Sequence, residues 1–210
     1  MRKIKKHIFY SYSYLNLINV TIYYEQALLL KNINLNLNKG EAIIIKGKNG
    51  SGKTTLLKSI AGLKIFTKGQ IYWTTKKLNN PLEKQTNFLT HQLQVSKENN
   101  TLIENLTYVS TFHQQNKETF NEMLTLIKFN KIKNCLIKQI SSGQLKRIEI
   151  INLIAFTSPI WILDEPITNL DTNSKKIIKN LIKLHLKNQG IIIITSHEPL
   201  YSKKIKTITL

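Results

Sequence analysis

The sequence has few acidic residues, very few arginines and a single cysteine. Of its 210 residues, 12 are Asp or Glu and 31 are Lys or Arg, which gives a formal net charge of +19 at neutral pH. The arginines are Arg2 and Arg147, so nearly all of the positive charge is lysine. The lone Cys135 excludes an internal disulfide and offers no set of cysteine metal ligands.

Long apolar runs are also missing. No stretch reaches the roughly 20 apolar residues that a membrane-spanning helix needs, so we expect any membrane role to be peripheral. A charge of +19 attracts both nucleic acid and anionic lipid surfaces. Lys, Asn and Ile are abundant and alanine occurs only four times, which is typical of an A+T-rich genome. Part of the basicity therefore reflects codon usage.

The length and composition predict one globular domain spanning residues 1–210. A chain of 210 residues suits a single domain, and an apolar fraction of 41% is ordinary for a globular protein. Residues 1–14 are basic and free of acids. They form either a tail that leads into a first strand, which we favour, or part of an organelle transit peptide.

Apolar periodicity predicts an α/β fold. Short apolar or alternating runs predict strands over 19–24, 33–37, 42–45, 70–73, 87–90, 160–163 and 191–194. Helical spacing predicts helices over 53–63, 120–129, 174–187, and 148–155 with a start near Ser142. Buried strands that alternate with helices favour a largely parallel sheet.

One segment fits the phosphate-loop pattern G-x-x-x-x-G-K-[ST]. Its residues are Gly47, Lys48, Asn49, Gly50, Ser51, Gly52, Lys53 and Thr54, followed by Thr55. Glycines let the backbone N–H groups surround a phosphate, and the following helix presents its positive N-terminal end. Lys53 is expected to reach the β- and γ-phosphates, and the Thr54 hydroxyl to ligate Mg²⁺. The predicted strand before the loop and the helix after it favour an ATP site over a chance glycine-rich turn.

A buried strand that ends in two acids follows later in the chain. The run over 160–163 leads into Asp164 and Glu165. Beside a phosphate loop, Asp164 is expected to hold Mg²⁺ and Glu165 to activate the attacking water. The alternative, two solvated acids at a strand end, is disfavoured in a chain with so few acids.

Between these two motifs, Ile140 to Gln144 reads ISSGQ, which resembles the LSGGQ signature of ATP-binding cassette (ABC) ATPases. The resemblance extends over nearly the whole chain. It matches Gln92 to the Q-loop glutamine, Leu170-Asp171 to the D-loop, and His197 to the H-loop histidine. It also matches Tyr24, with Tyr23 as a near rival, to the aromatic residue that stacks on adenine.

The family resemblance implies the organisation of the site. ABC ATPases combine a mostly parallel sheet with an antiparallel β subdomain and a helical subdomain, here about 93–145 and short. Gln92 is then a further Mg²⁺ ligand, and Gln92 and His197 assist Glu165 in catalysis. Signature residues Ser141, Ser142, Gly143 and Gln144 act on the nucleotide of the other subunit of a homodimer. Ser142 departs from the family glycine, but serine is small enough to leave the contacts of Ser141 and Gly143 possible.

Local context is similar to one branch of the family, the ATP-binding subunit of the haem exporter in cytochrome c maturation. The similar segments are Leu89 to Gln92, Pro159 to Pro166 and Thr195 to Leu200. This implies separate membrane-spanning permease subunits, no haem on this subunit and no nucleic acid partner. It also implies attachment to the cytoplasmic face of the inner membrane, or to the matrix face of the mitochondrial inner membrane if the gene is organellar.

Other functions stay open at this point. A soluble ABC ATPase acting on ribosomes or nucleic acid would benefit from the charge, but such proteins usually carry two cassettes or a long coiled coil. The ATPase of another small exporter is also compatible with the motifs. A nucleotide switch without turnover is disfavoured by Glu165, Gln92 and His197.

Overall fold

The computed structural model describes most of the chain outside its N-terminal segment and the region around the Q-loop. The described residues are 14–73, 76–77, 86–89, 98–105, 107, 130–141, 144–145, 148, 158–168, 170–196 and 205–210. The predicted helix over 120–129 lies outside them, as do residues 1–13 of the predicted tail. Tyr14 corrects the boundary of that tail, because it is already the first residue of a strand.

Four strands form an antiparallel sheet with the order β2-β1-β4-β5. They are β1 (Tyr14–Tyr24), β2 (Ala27–Asn38), β4 (Lys68–Trp73) and β5 (Lys76–Lys77). The register of β1 shifts between Leu17 and Val20, where Asn19 has a positive φ of 50°. This irregularity interrupts the alternation of apolar residues, which is why the sequence predicted only the second half of β1.

Five strands form a parallel sheet with the order β6-β7-β8-β3-β9. They are β3 (Ala42–Lys46), β6 (Thr86–Leu89), β7 (Ile160–Asp164), β8 (Ile191–Thr195) and β9 (Ile205–Thr209). Every residue of β7 and β8 is buried. The predicted α/β class with a parallel sheet and an antiparallel subdomain is confirmed.

Two helices are described in full: α1 (Lys53–Ile60) and α2 (Thr172–Lys187). α1 ends three residues earlier than predicted, because Gly62 has a φ of 76° and begins a turn. Short 3-10 helices cover Asn130–Ile132 and Ile137–Gln139. Among the described residues, no helix is long and apolar enough to span a bilayer.

Both faces of the parallel sheet are covered, which explains its uninterrupted apolar strands. Ile43, Ile162 and Ile193 belong to a core shared with α1 and the antiparallel sheet. Their neighbours Ile44, Leu163 and Ile194 belong to a second core shared with α2. This packing places the carboxyl ends of β3 and β7 at the same edge of the sheet, beside the start of α1.

His185 of α2 is buried in this framework. Its ring stacks on Trp161 with a centroid distance of 4.0 Å, and its Nε2 lies 3.2 Å from the Pro159 carbonyl. Because a carbonyl can only accept, Nε2 carries the proton. A β-carbon at Gly190 would overlap the ring, so only glycine fits there. Burial lowers the pKa of His185 to about 4, against the opposing hydrogen bonds to the backbone.

We expect His185 to make the fold sensitive to acid. The unfolded chain binds a proton at this histidine below about pH 6.5, whereas the folded chain does not until about pH 4. Proton binding by His185 therefore has no effect on the free energy of unfolding above pH 7. At pH 5 it lowers this free energy by about 2 kcal/mol. Urea unfolding at pH 7 and pH 5 measures this difference. The free energy of unfolding should depend less on pH in His185→Gln than in the parent, because glutamine cannot titrate. Equal pH dependence in the parent and in His185→Gln would show that His185 is not the source of the acid sensitivity.

Candidate nucleotide site

The loop between β3 and α1 has the backbone that its glycines predict. Gly50 and Gly52 have φ values of 83° and 91°, which other residues rarely adopt. Gly52 immediately precedes α1, and a β-carbon there would lie 3.0 Å from the Leu29 side chain. The turn at Gly52 therefore exposes the N-terminal end of α1, where unpaired backbone N–H groups favour an anion.

The side chains of the loop add a cation and a hydroxyl. Lys53 Nζ donates to the carbonyls of Gly47, at 2.8 Å, and Lys48, at 3.0 Å, so the ammonium lies within the curve of the loop. The Ser51 hydroxyl is buried and has no hydrogen-bond partner in the described part of the chain. The loop therefore carries an ammonium and an unpaired buried hydroxyl, two kinds of donor that suit phosphate oxygens.

The end of β7 lies against this loop, with Asp164 as its last residue. The residue is only 4% exposed. Its Oδ2 accepts a hydrogen bond of 2.7 Å from Thr54 Oγ1, although the two residues are 110 positions apart. Its Oδ1 accepts one of 2.6 Å from Thr195 Oγ1. A carboxylate and a hydroxyl at this distance are the hard oxygen ligands that Mg²⁺ prefers, so the residues present fit this ion.

Glu165 adopts a backbone conformation that is unusual for its residue type. Its φ is 47°, in the left-handed region. The Glu165 N–H donates to both the carbonyl and the hydroxyl of Thr195, at 3.2 and 3.0 Å. Its Oε2 accepts a hydrogen bond of 3.0 Å from Thr168 Oγ1. These contacts fix both the backbone and the carboxylate of Glu165.

Several of the side chains described above border one cavity of about 730 Å³, a size typical of small-molecule sites. Its lining includes residues 27–29 of β2, residues 49–50 and 52–55 of the phosphate loop and α1, residues 164–165, and Thr168. The cavity thus brings together Asp164, Glu165 and most of the predicted phosphate-loop residues, whereas Gly47 and Lys48 do not line it. Ser51 belongs to the loop but does not line the cavity.

Tyr24 lines the same cavity, and its neighbour Tyr23 is not among the lining residues. The Tyr24 side chain is 54% exposed, which leaves its ring accessible to a planar base. The ammonium of Lys64 lies 4.7 Å from the ring centroid, within the range of a cation–π contact. This geometry favours Tyr24 over Tyr23 as the aromatic residue beside the nucleotide.

The described signature and D-loop residues lie away from the cavity lining. Ser141 Oγ accepts from the Gln144 N–H at 3.3 Å, and Gln144 Oε1 accepts from the Ser141 N–H at 3.0 Å, an arrangement that caps the start of a helix. Asp171 caps α2 by accepting from the Ser174 N–H at 2.8 Å. The other predicted site residues, Gln92, Ser142, Gly143 and His197, fall outside the described residues.

The contacts of three residues at the site were not predicted from the sequence. No role was assigned to the hydroxyls of Thr195 and Thr168, and Lys64 was not considered. Thr195 contacts Asp164 and Glu165, Thr168 contacts Glu165, and Lys64 contacts Tyr24. The only sequence signal for Thr195 is a hydroxyl at the end of an otherwise apolar strand.

Comparison with known proteins agrees with this geometry. The family model "ABC transporter" matches residues 30–168. The cytochrome c biogenesis ATP-binding export protein CcmA of Aliivibrio fischeri is 33% identical over 202 residues, covering 93% of this chain and 98% of that protein. The protein of the same name from Reclinomonas americana is 36% identical, with 90% and 87% coverage.

Solved structures give the same result. The dimeric structure of MJ0796, a bacterial ABC transporter cassette, superposes with a TM-score of 0.80 at 26% identity, covering 93% of this chain and 94% of that one. A dimeric post-hydrolysis state of MJ0796 bound to ADP and Pi has a TM-score of 0.77 at 28% identity, with 88% coverage of each chain. The present chain therefore belongs to the ABC transporter family, among its ATP-binding and ATP-hydrolysing cassettes.

Proposed function

We propose that this chain is the ATP-hydrolysing subunit of a membrane export complex that serves cytochrome c maturation by handling haem. The ATPase part rests on one observation above the others: Thr54 of the phosphate loop and Asp164 of β7 share a hydrogen bond of 2.7 Å beside Glu165. The pathway rests on the similarity to export proteins of cytochrome c biogenesis along 93% of the chain.

In this proposal the phosphate loop binds and orients ATP. The N–H groups of residues 47–52 and the ammonium of Lys53 bind the β- and γ-phosphates. Lys53 must exchange its bonds to the Gly47 and Lys48 carbonyls for bonds to phosphate oxygens. Thr55, which borders the cavity, lies near the same phosphates, and Tyr24 stacks on the adenine.

Thr54 and Asp164 are the residues that would hold Mg²⁺, with Gln92 as a further ligand. The ion would neutralise charge on the phosphate oxygens. The ligand set is supported by the oxygen chemistry of Thr54 and Asp164 and by their contact. The role of Gln92 rests on the family resemblance.

Glu165 is proposed as the general base. Its carboxylate takes a proton from a water molecule that attacks the γ-phosphorus, and ADP leaves as the bond to the bridging oxygen breaks. The Thr168 hydrogen bond orients this carboxylate. His197 is proposed to hold the γ-phosphate and the water in position, on the basis of the family resemblance.

The active form is proposed to be a homodimer. Ser141 and Gln144 do not line the cavity of their own chain, as expected if residues 141–144 contact the nucleotide of the other subunit. Asp171 would lie near the same interface. The structures of MJ0796 are described as dimeric, which supports this assembly.

The whole chain is proposed to act as one ATP-binding domain, with a helical subdomain over about 93–145 that binds a separate permease. Residues 95–121, which follow Gln92, would form the docking surface. The relatives are named export proteins, which supports a peripheral position on the cytoplasmic face of the inner membrane. In a mitochondrion the corresponding position is the matrix face. We propose no haem and no nucleic acid partner for this subunit.

The pathway is testable in cells. A strain whose gene carries Glu165→Gln should lose covalently attached haem from its c-type cytochromes, because the complex cannot complete its cycle. Its b-type cytochromes should persist, since they need no covalent attachment. Haem staining after denaturing electrophoresis measures the first, and reduced-minus-oxidised spectra measure the second.

Glu41→Gln is the matched control. It also removes one carboxylate, but Glu41 pairs with Lys206 through a contact of 2.7 Å and does not line the cavity. This control strain should keep its c-type cytochromes. Normal c-type cytochromes in the Glu165→Gln strain would refute the pathway, while the proposal that the chain hydrolyses ATP would stand.

A further inference from the structure

Thr195 is a buried hydroxyl at the end of an apolar strand. It is the last residue of β8 and is fully buried. Four isoleucines precede it in the strand. In the parallel pairing of β7 with β8, Thr195 lies in register with Asp164. A buried hydroxyl needs hydrogen-bond partners to offset its desolvation, and the two acids at the end of β7 provide them.

The Thr195 hydroxyl makes one bond as donor and one as acceptor. It donates to Asp164 Oδ1 at 2.6 Å, the short distance expected for a hydroxyl bound to a carboxylate. It accepts from the Glu165 N–H at 3.0 Å. One side chain therefore contacts both neighbouring acids.

The contact with Asp164 fixes how the carboxylate is turned. Oδ2 accepts from Thr54 on one side, and Oδ1 accepts from Thr195 on the other. With both oxygens bonded, rotation of the carboxylate would break at least one hydrogen bond. Without the Thr195 hydroxyl, Oδ1 would lose its only partner from β8 while remaining in a buried site.

The contact with Glu165 stabilises an unfavourable backbone conformation. A glutamate at a φ of 47° carries strain of a kind that persists only when neighbours enforce it. The Glu165 N–H is held by the Thr195 carbonyl and hydroxyl together. This conformation determines where the Glu165 carboxylate lies relative to Asp164.

We propose that Thr195 is a positioning residue that holds the metal-binding acid and the general base in their working geometry. This inference rests on the roles proposed above for Asp164 and Glu165. Thr195 is fully buried and does not line the cavity. It acts through the carboxylate of Asp164 and the backbone of Glu165.

The test compares Thr195→Val with Thr195→Ser. Valine keeps the shape but removes the hydroxyl, whereas serine keeps the hydroxyl and removes a methyl group. ADP affinity is measured by calorimetry with Mg²⁺ and with EDTA, and the ratio of the two reports the contribution of the metal. In Thr195→Val this ratio and kcat should both fall about 10- to 100-fold, the effect typical of a lost partner behind a metal ligand. Thr195→Ser should keep both within about threefold of the parent.

Controls separate positioning from a loss of folding. Thr207→Val, on the exposed side of β9, should leave the ratio and kcat unchanged. A purely structural Thr195 would lower the thermal midpoint of Thr195→Val but preserve the metal-dependent ratio and kcat, and that result overturns the proposal. If valine prevents folding, Thr195→Ala removes the same hydroxyl without adding bulk and is judged by the same criteria.

Asp164→Asn separates this inference from the proposed function. If this variant keeps the parental metal-dependent ratio, Asp164 does not bind the metal and the proposed role of that residue fails. If the ratio of ADP affinities with Mg²⁺ and with EDTA falls in Asp164→Asn but stays at the parental value in Thr195→Val, the proposed role of Asp164 stands. Only the positioning role of Thr195 is then wrong.

Discussion

Glu165→Gln should reduce ATP turnover by about 100- to 10,000-fold, the usual contribution of a general base. Glutamine has nearly the same shape and can still accept the hydrogen bond that Thr168 donates at 3.0 Å. It cannot take a proton from water. ATP binding should therefore remain within a few-fold of the parent, and a dimer that holds unhydrolysed ATP should accumulate. Phosphate release measures the turnover, and gel filtration with ATP measures the dimer.

The Glu41→Gln protein is the control for this experiment as well. Its turnover should match the parent, because an exposed ion pair such as Glu41 with Lys206 contributes little to stability. If Glu165→Gln hydrolyses ATP at the parental rate, a different residue is the base. If the variant turns over slowly but remains monomeric with ATP, the proposed dimer is wrong and the base assignment stands.

The parallel sheet could be predicted because both of its faces are buried. Isoleucines dominate the predicted strands at 42–45, 160–163 and 191–194, and each is confirmed within one residue. β9 (Ile205–Thr209) was missed. It lies at the edge of the sheet and has only partly buried and exposed positions, so its sequence has no continuous apolar run.

The predictable parts of the candidate site are those encoded by local spacing. The phosphate loop and the pair Asp164-Glu165 are each contiguous, and their residue types indicate their chemistry directly. The Thr195 contact depends on the register of β8 against β7, and it joins residues 31 positions apart. Spacing along the chain carries no signal for such a contact, because a one-residue change of register would turn the hydroxyl to the other face.

The order of the strands explains how distant motifs meet. β3 carries the phosphate loop, β7 carries Asp164, and β8, which lies between them, carries Thr195. The strands are parallel, so all three carboxyl ends lie at one edge. A central strand that ends in a hydroxyl can therefore contact the acids of its neighbour while the loop approaches from the other side.

Lys53→Ala should lower ATP affinity by about 100-fold or more and make turnover undetectable. The Lys53 ammonium lies within the loop, 2.8 Å from the Gly47 carbonyl. It is therefore already positioned where phosphate charge must be compensated. Removing one partner of a hydrogen-bonded charge pair typically costs about 2–5 kcal/mol, which corresponds to a factor of about 30 to several thousand in binding. Calorimetry with ATP and Mg²⁺ measures the affinity.

Lys58→Ala provides the matched control, because Lys58 is in the last turn of the same helix and does not line the cavity. Both variants lose one positive charge from a protein with a net charge of +19, so general attraction of the anionic nucleotide changes equally. Only the Lys53 variant should lose binding. Equal weakening in both would mean that overall charge attracts the nucleotide, and unchanged affinity and rate in Lys53→Ala would refute the phosphate-binding role of the loop.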